Sequence, residues 1–134
     1  MASIYEALRS IIVADTTINA QVAGRVYFEK TPDQPVFPCI VFEQFGSRAE
    51  QSRDGFSKLW YAEFNFNTYV SKDSLLAVGE VIRKQMMALL CGKQGTFSSV
   101  DIHGILQQDE NVSWIDADQV WAVEQSFTVM YLEP

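Results

Sequence analysis

Long apolar runs are absent from this sequence of 134 residues. The longest, Met86 to Cys91, has six residues, whereas a helix needs about 20 apolar residues to cross a bilayer. Cysteine is scarce as well, because Cys39 and Cys91 are the only two and no Cys-x-x-Cys pair is present. Two such cysteines do not make a disulfide framework, so we expect a reducing compartment. The N-terminus shows no basic and apolar regions of a signal peptide, which agrees with that expectation.

Side chains that carry chemistry are also few. His103 is the only histidine, so a Ser-His-Asp triad or a mixed His/Cys metal site would have to use it. It falls on the polar side of a predicted strand, near Asp101, where an ordinary surface histidine is the simpler interpretation. Nucleotide-binding glycine motifs and the Gly-x-Ser-x-Gly motif are missing. We therefore predict no catalytic residue, no cofactor and no metal, and a protein that is not an enzyme.

Basic residues are absent from the last third of the chain. Seventeen acids and ten bases give a net charge of −7, yet residues 1–93 hold ten of each and residues 94–134 hold seven acids alone. A nucleic-acid-binding surface needs clustered Lys and Arg to neutralise phosphates. Two interpretations stay open for this segment: a solvated acidic surface that aids solubility, or a surface that must not retain a polyanion.

Residues 109–118 are predicted to form an acidic loop. Its acids are a candidate for hard-cation binding, but the spacing lacks the glycine and the terminal glutamate of an EF-hand loop. We therefore predict no calcium site here. The acids of this predicted loop are Asp109, Glu110, Asp116 and Asp118.

Apolar periodicity predicts an alternation of helices and strands. Ser3 and Glu6 have the spacing of a capping box at the start of the first helix. Gly79 lies inside the long predicted helix, where it lowers stability by about 1 kcal/mol relative to Ala; plain tolerance is the favoured explanation over close packing. The predicted helices cover residues 4–14, 18–23 and 72–91, and the predicted strands cover 25–28, 39–45, 58–70, 100–106 and 119–132.

The strands arrive as hairpins, which predicts an α+β fold of one domain over residues 1–134. We expect a mainly antiparallel sheet (a hairpin, a long helix, then a second hairpin) with an N-terminal helix and the helices packed on the sheet. Residues 46–56 are predicted to be a polar loop of eleven residues at the tip of the first hairpin. Loops of that length in compact domains are often functional.

Several short stretches, in this order and spacing, resemble the tail terminator or tail-completion proteins of long-tailed bacteriophages and prophages, the head–tail joining group. The similarity covers nearly the whole chain, and Cys39 departs from it because similar proteins more often carry Tyr there. The stretches are Ala7-Leu8-Arg9 with Asp15, Gly24-Arg25-Val26-Tyr27, Pro35, Pro38-Cys39-Ile40-Val41-Phe42, Asp54-Gly55, Leu75 with Val78, Ile82 and Arg83, and Ser126-Phe127-Thr128-Val129-Met130-Tyr131.

The resemblance implies a structural virion protein that assembles with itself into a ring, typically a hexamer, at the head-proximal end of the tail tube. Such a ring stops tube polymerisation and joins the tail tube protein to the head-completion or connector protein. The implied location is the head–tail junction of the virion, reached from the bacterial host cytoplasm during assembly. DNA passes through the lumen without sequence-specific binding, and no membrane is involved.

Two groups of residues are candidates for these roles. The first group lies in the loop 46–56, which is either a subunit or partner contact or a mobile surface loop; its charges cancel, as suits complementary pairing. The acids named above form the second group, expected to face the lumen and repel DNA. The first group is Arg48, Glu50, Arg53 and Asp54.

Two alternative functions remain open at this point. Another phage head-completion or tail-tube subunit has similar size and symmetry. A small ligand-binding α+β domain unrelated to phage would need a deep pocket with convergent polar groups, and the sequence shows no residues to build one.

Overall fold

A computed structural model describes residues 3–31, 33–52 and 55–132, with side chains described outside 48–58. No helix in these ranges is long and apolar enough to cross a membrane. The helices are α1 (Ile4–Ala14), α2 (Thr16–Val22) and α3 (Glu80–Leu90), the last entered through a π-helical turn (Leu75–Gly79). The strands are β1 (Val26–Phe28), β2 (Cys39–Ser52), β3 (Gly55–Ser71), β4 (Gly95–Phe97), β5 (Val100–Ile115) and β6 (Val120–Leu132).

The described strands form one sheet in the order β1-β2-β3-β6-β5-β4. The two long hairpins, β2–β3 and β5–β6, lie side by side because β3 pairs antiparallel with β6, with Phe64 opposite Phe127. The predicted α+β class is confirmed. The sheet is mixed, however, because β1 runs parallel to β2, with Val26 opposite Ile40.

Two side-chain caps explain how the N-terminal helices begin. The Ser3 hydroxyl accepts a hydrogen bond from the Glu6 N–H at 3.2 Å, as the capping box predicts. Asp15 ends α1 and starts α2, because its carboxylate accepts from the Ile18 N–H at 2.9 Å. The gap that the sequence predicts between helices 4–14 and 18–23 is therefore a single residue, Asp15, which separates α1 from α2.

One apolar cluster joins the helices to one face of the sheet. Its centre is aromatic: Phe42 stacks on Phe66 with ring centroids 5.2 Å apart, and Phe127 meets Phe66 edge-on at 5.6 Å. Leu8 of α1 and Met86 of α3 are fully buried in the same cluster. We call the side of the sheet that carries this cluster the helix face, and the opposite side the second face.

The two predicted polar loops are wrong over most of their length. In the first hairpin the ladder continues through Ser47 opposite Ala62 to Ser52 opposite Gly55. In the second, β5 runs to Ile115 and leaves only a short turn before Val120. Strand signals were hidden because residues 46–52 and 107–111 contain few apolar side chains, and register shifts at 44–46 and 107–109 break the two-residue alternation.

The predicted helix 72–91 begins three residues later, in the π-helical turn, and Gly79 ends that turn. A Cβ built on Gly79 would lie 3.2 Å from Cδ1 of Leu75 and 3.3 Å from Cγ2 of Val70. The glycine therefore lets the helix approach β3 closely. Close packing, rather than the plain tolerance favoured from sequence, explains its position.

We expect Gly79→Val to lower the free energy of unfolding by about 1–3 kcal/mol, because the added methyl groups enter a filled space between helix and sheet. Urea titration followed by circular dichroism measures this. Ala88→Val, at an exposed site of α3, is the matched control and should change stability by less than about 1 kcal/mol. Equal effects of the two substitutions would contradict close packing at Gly79.

Candidate functional site

The first candidate site is the end of the β2–β3 hairpin, residues 46–56, which we call the arm. In the described residues the pairing of β3 with β6 ends at Leu59 opposite Leu132, while β2 and β3 remain paired out to Ser52 and Gly55. Residues 46–49 of the arm pair with residues 60–63 of β3, which also pair with β6 and so lie within the sheet. Beyond Ala49, the described part of the arm is a two-stranded ribbon that continues past the end of the sheet.

The charges predicted for the arm are placed only in part. Arg48 and Glu50 belong to β2, with Arg48 opposite Tyr61, and their side chains lie outside the description. Arg53 and Asp54 lie outside the described residues altogether. Their role in a subunit contact stays a prediction.

The second candidate site is the acidic end of the β5–β6 hairpin. Asp116 stabilises the turn there, because its carboxylate accepts from Gln119 Nε2 at 3.1 Å. Asp109 lies on β5, where its carboxylate accepts from the N–H of Glu110 at 2.8 Å. Asp109, Asp116 and Asp118 are exposed and have no ion pair among the described residues.

Glu110 differs from the other three acids because it is bound from the helix side. Its carboxylate lies 3.3 Å from Nη1 of Arg83, on α3, and accepts from Nε2 of the buried Gln125 at 3.2 Å. Arg83 also binds Glu80 one turn earlier, at 2.9 Å. The four predicted acids are therefore not equivalent: Glu110 shares the positive charge of Arg83 with Glu80, whereas the other three have no ion pair among the described residues.

These contacts shift the pKa values of both glutamates. The hydrogen bond from Arg83 lowers the pKa of Glu80. Hydrogen bonding from Gln107, then from Gln125 and Arg83, lowers the pKa of Glu110 against the opposing effect of desolvation. Sequence analysis missed this cluster, because 27 residues separate Arg83 from Glu110 and only the docking of α3 on the sheet brings them together.

The candidate reactive side chains are separated from one another. His103 Nε2 lies 3.4 Å from an Asp101 carboxylate oxygen, both about half exposed, in an open depression of about 480 Å³. Cys39 is buried, and desolvation raises its thiol pKa to about 11 although Arg25 opposes this. Such a thiol stays protonated and is a poor nucleophile. In the part of the chain that the structure describes, no three metal-ligating side chains cluster.

Two larger depressions are open to solvent. One, of about 490 Å³, lies on the second face between Tyr61, Glu63 and Thr128. The other, of about 610 Å³, lies beside residues 29–37 and includes Tyr69 and Asp118. Neither includes His103 or a cysteine.

These features define a class of protein: a small α+β domain with a six-stranded mixed sheet, an extended hairpin arm and an acidic end. The candidate reactive side chains of its described residues lie apart from one another. The chain belongs to the family of tail completion protein gp17, which it matches over residues 6–132. The predicted resemblance is confirmed. Membership of this family supports a structural role in a phage tail.

The fold also occurs in solved structures. A chain of the virion of a native gene transfer agent (GTA) particle is similar, with a TM-score of 0.69 and 12% identity, and the match covers 98% of both chains. A second solved structure is similar at a TM-score of 0.54 and 14% identity, covering 97% of this chain and 98% of the other. No curated protein matches the chain.

We expect Arg83→Met to lower the free energy of unfolding by about 1 kcal/mol at pH 7, a modest value because the bridge is partly solvated. The difference should shrink as pH falls. Both glutamate pKa values are lowered by folding, so the stabilisation is complete above the ordinary glutamate pKa of about 4.3 and is lost as pH drops through the lower folded values.

Urea titrations at several pH values between about 3 and 7 measure this. Lys30→Met is the matched control, because Lys30 is exposed and makes no ion pair with a described carboxylate. A difference between the Arg83→Met variant and the parent chain that stays constant with pH would contradict the assignment.

Proposed function

We propose that this protein caps the head-proximal end of a phage tail tube as a ring, stops tube polymerisation and joins the tail to the head connector. The observation that carries the proposal is the family match over residues 6–132. The similarity to a chain of a GTA virion, over 98% of both chains, supports a place in a particle of this type. The ring would form from copies of this chain, with a hexamer as the expected order.

The arm is proposed as the part that contacts a neighbouring subunit. A paired ribbon that extends past the sheet reaches farther than a loop of the same length, since a strand rises about 3.3 Å per residue. Its four charges, Arg48, Glu50, Arg53 and Asp54, sum to zero. A neutral segment of mixed charge suits a contact made by complementary pairs and avoids long-range repulsion between identical subunits.

The acidic end is proposed to face the lumen. Asp109, Asp116 and Asp118 have no ion pair among the described residues, whereas Glu110 contributes less because Arg83 binds it together with Glu80. No Lys or Arg follows Lys93 in the sequence, so this end offers no phosphate ligand from its own strands. Fixed negative charge around a passage lowers the residence of a polyanion there and lets DNA slide.

We expect the purified protein, alone or with purified tails that lack it, to form single closed rings. Native mass measurement gives the subunit number, and negative-stain electron microscopy shows the shape. A terminator must not stack on itself, so the rings should stay single as concentration rises. Filaments would contradict the proposal and favour the tail-tube alternative.

We expect Asp118→Lys to reduce DNA ejection while ring formation stays intact, because the new lysine would hold phosphates at the lumen. Asp109, Asp116 and Glu110 are left unchanged, since Asp109 lies on β5 and the other two bind Gln119 and Arg83. The matched control is Glu6→Lys, which reverses one exposed acid elsewhere. Particles assembled with each variant are triggered, and released DNA is measured by nuclease sensitivity. Equal ejection by both variants would contradict a lumen position.

A further inference from the structure

Each long hairpin leaves one strand edge without a neighbour in the described residues. β4 pairs only with Val100–Ile102 of β5, and from Asp109 to Ile115 β5 is paired on one side, by β6. On the opposite margin of the sheet, β1 covers only Ile40–Phe42 of β2, which then continues to Ser52 with β3 alone. The sheet therefore has two open edges, one on each side.

Backbone contacts show which groups point outward on β5. The Ile105 carbonyl accepts from the N–H of Gly92, so it faces away from β6. The Glu110 N–H is bound by the Asp109 side chain instead of β6. Backbone groups of an antiparallel strand alternate between its two sides, and the register from 109 to 115 is unbroken. The N–H and C=O groups of Val112 and Trp114 therefore point out of the sheet.

The same alternation applies to β2. The Ile40 N–H donates to Arg25 and the Phe42 carbonyl accepts from Glu29, both on the outer side. The register shift at 44–46 inserts one extra residue, which moves the outward position from even to odd numbers. The backbone of Ser47 consequently points out of the sheet on the margin opposite Val112.

Lysine and proline, which protect many natural strand edges, are absent from both edges. Residues 43–52 and 103–115 contain neither residue type. The bulge of β5 precedes its regular segment, and the register shifts of β2 at 44–46 and 49–51 leave Gly46–Ala49 between them in regular register. Exposed apolar side chains lie on both edge strands: Phe45 is 58% exposed on β2, and Leu106 and Val112 are 54% and 42% exposed on β5.

We propose that the open edge of β5, Asp109–Ile115, pairs with the open edge of β2 beyond Phe42 in a second copy of this chain. The contact rests on the proposed ring and specifies how it is built. Two different edges on opposite margins of one sheet give a head-to-tail contact, the kind that closes into rings. Antiparallel pairing of two β5 edges would instead use the same surface on both copies, and such a contact closes at a dimer and does not build a ring.

The test blocks one edge at a time. Val112→Pro removes an N–H that points out of the sheet and leaves the hydrogen bonds between β5 and β6 in place. Ser47→Pro removes an outward N–H of β2 and leaves its bonds to β3 in place. Proline is tolerated at such edge positions. Val112→Lys and Ser47→Lys serve as second variants in case a proline variant fails to fold, as judged by circular dichroism. Leu76→Lys is the control, because Leu76 is the most exposed large apolar side chain described, at 80%, and lies on neither edge.

We expect the parent chain and the Leu76→Lys variant to form rings, and each edge variant alone to have the mass of a monomer. An equimolar mixture of the Val112→Pro and Ser47→Pro variants should have the mass of a dimer, because one intact edge remains on each partner. Rings from both edge variants would overturn the strand contact and leave the ring in place. Loss of assembly in the β5 variants alone would instead indicate β5 self-pairing and overturn the proposal.

A parent chain that stays monomeric at high concentration, and also on purified tails, would overturn the ring and the strand contact together. Native mass spectrometry and mass photometry distinguish these outcomes, since they report the stoichiometry of each species directly.

Discussion

The pairing of β3 with β6 is the constraint on which the rest of this structure depends. Thirteen consecutive residue pairs, from Leu59–Leu132 to Ser71–Val120, join two hairpins that are distant in sequence. An isolated two-stranded hairpin is marginally stable in water. The seam between the hairpins turns them into one sheet broad enough to carry the phenylalanine cluster, and that cluster is what the helices cover. Loss of the seam would leave α1 and α3 without a common surface to bury.

The helices cover one face of the sheet only. The strand edges, the arm and the acidic end therefore lie outside the buried cluster. The short strands β1 and β4 cover only part of the outer strand of each long hairpin, so each hairpin presents an open edge. Within the described residues, Arg83 binds Glu110 and His103 lies 3.4 Å from Asp101, and the other acids of the last third have no ion pair. The arm therefore continues the open edge of β2, and the acidic end continues the open edge of β5, so the surfaces open to contact lie on opposite margins of one sheet.

Sequence patterns predicted the elements wherever one side of an element is buried. The spacing of Leu8 and Ile12 identified α1, and the alternation along β3 and β6 identified the central strands. The strands at 46–52 and 109–115 were not predicted, because polar residues predominate there and the register shifts at 44–46 and 107–109 interrupt the alternation. Gly79 and the Arg83–Glu110 pair were beyond sequence patterns for another reason: both depend on how closely α3 docks on the sheet, a distance that local sequence does not encode.

The candidate sites follow the same division. The number of charged residues identified the acidic last third, because composition can be read without knowledge of the fold. It could not distinguish Glu110, which Arg83 binds, from the neighbouring acids. The open edges were invisible for a physical reason, because an unpaired edge is defined by the length of the adjacent strand and not by its own residues. β1 and β4 have three residues each, and their shortness leaves the long strands uncovered. A short segment of strand pairing is a weak contact, but closure of a ring requires every subunit to make it twice. The proposed ring would be stable only when complete, which suits the proposed role of ending a tube instead of extending it.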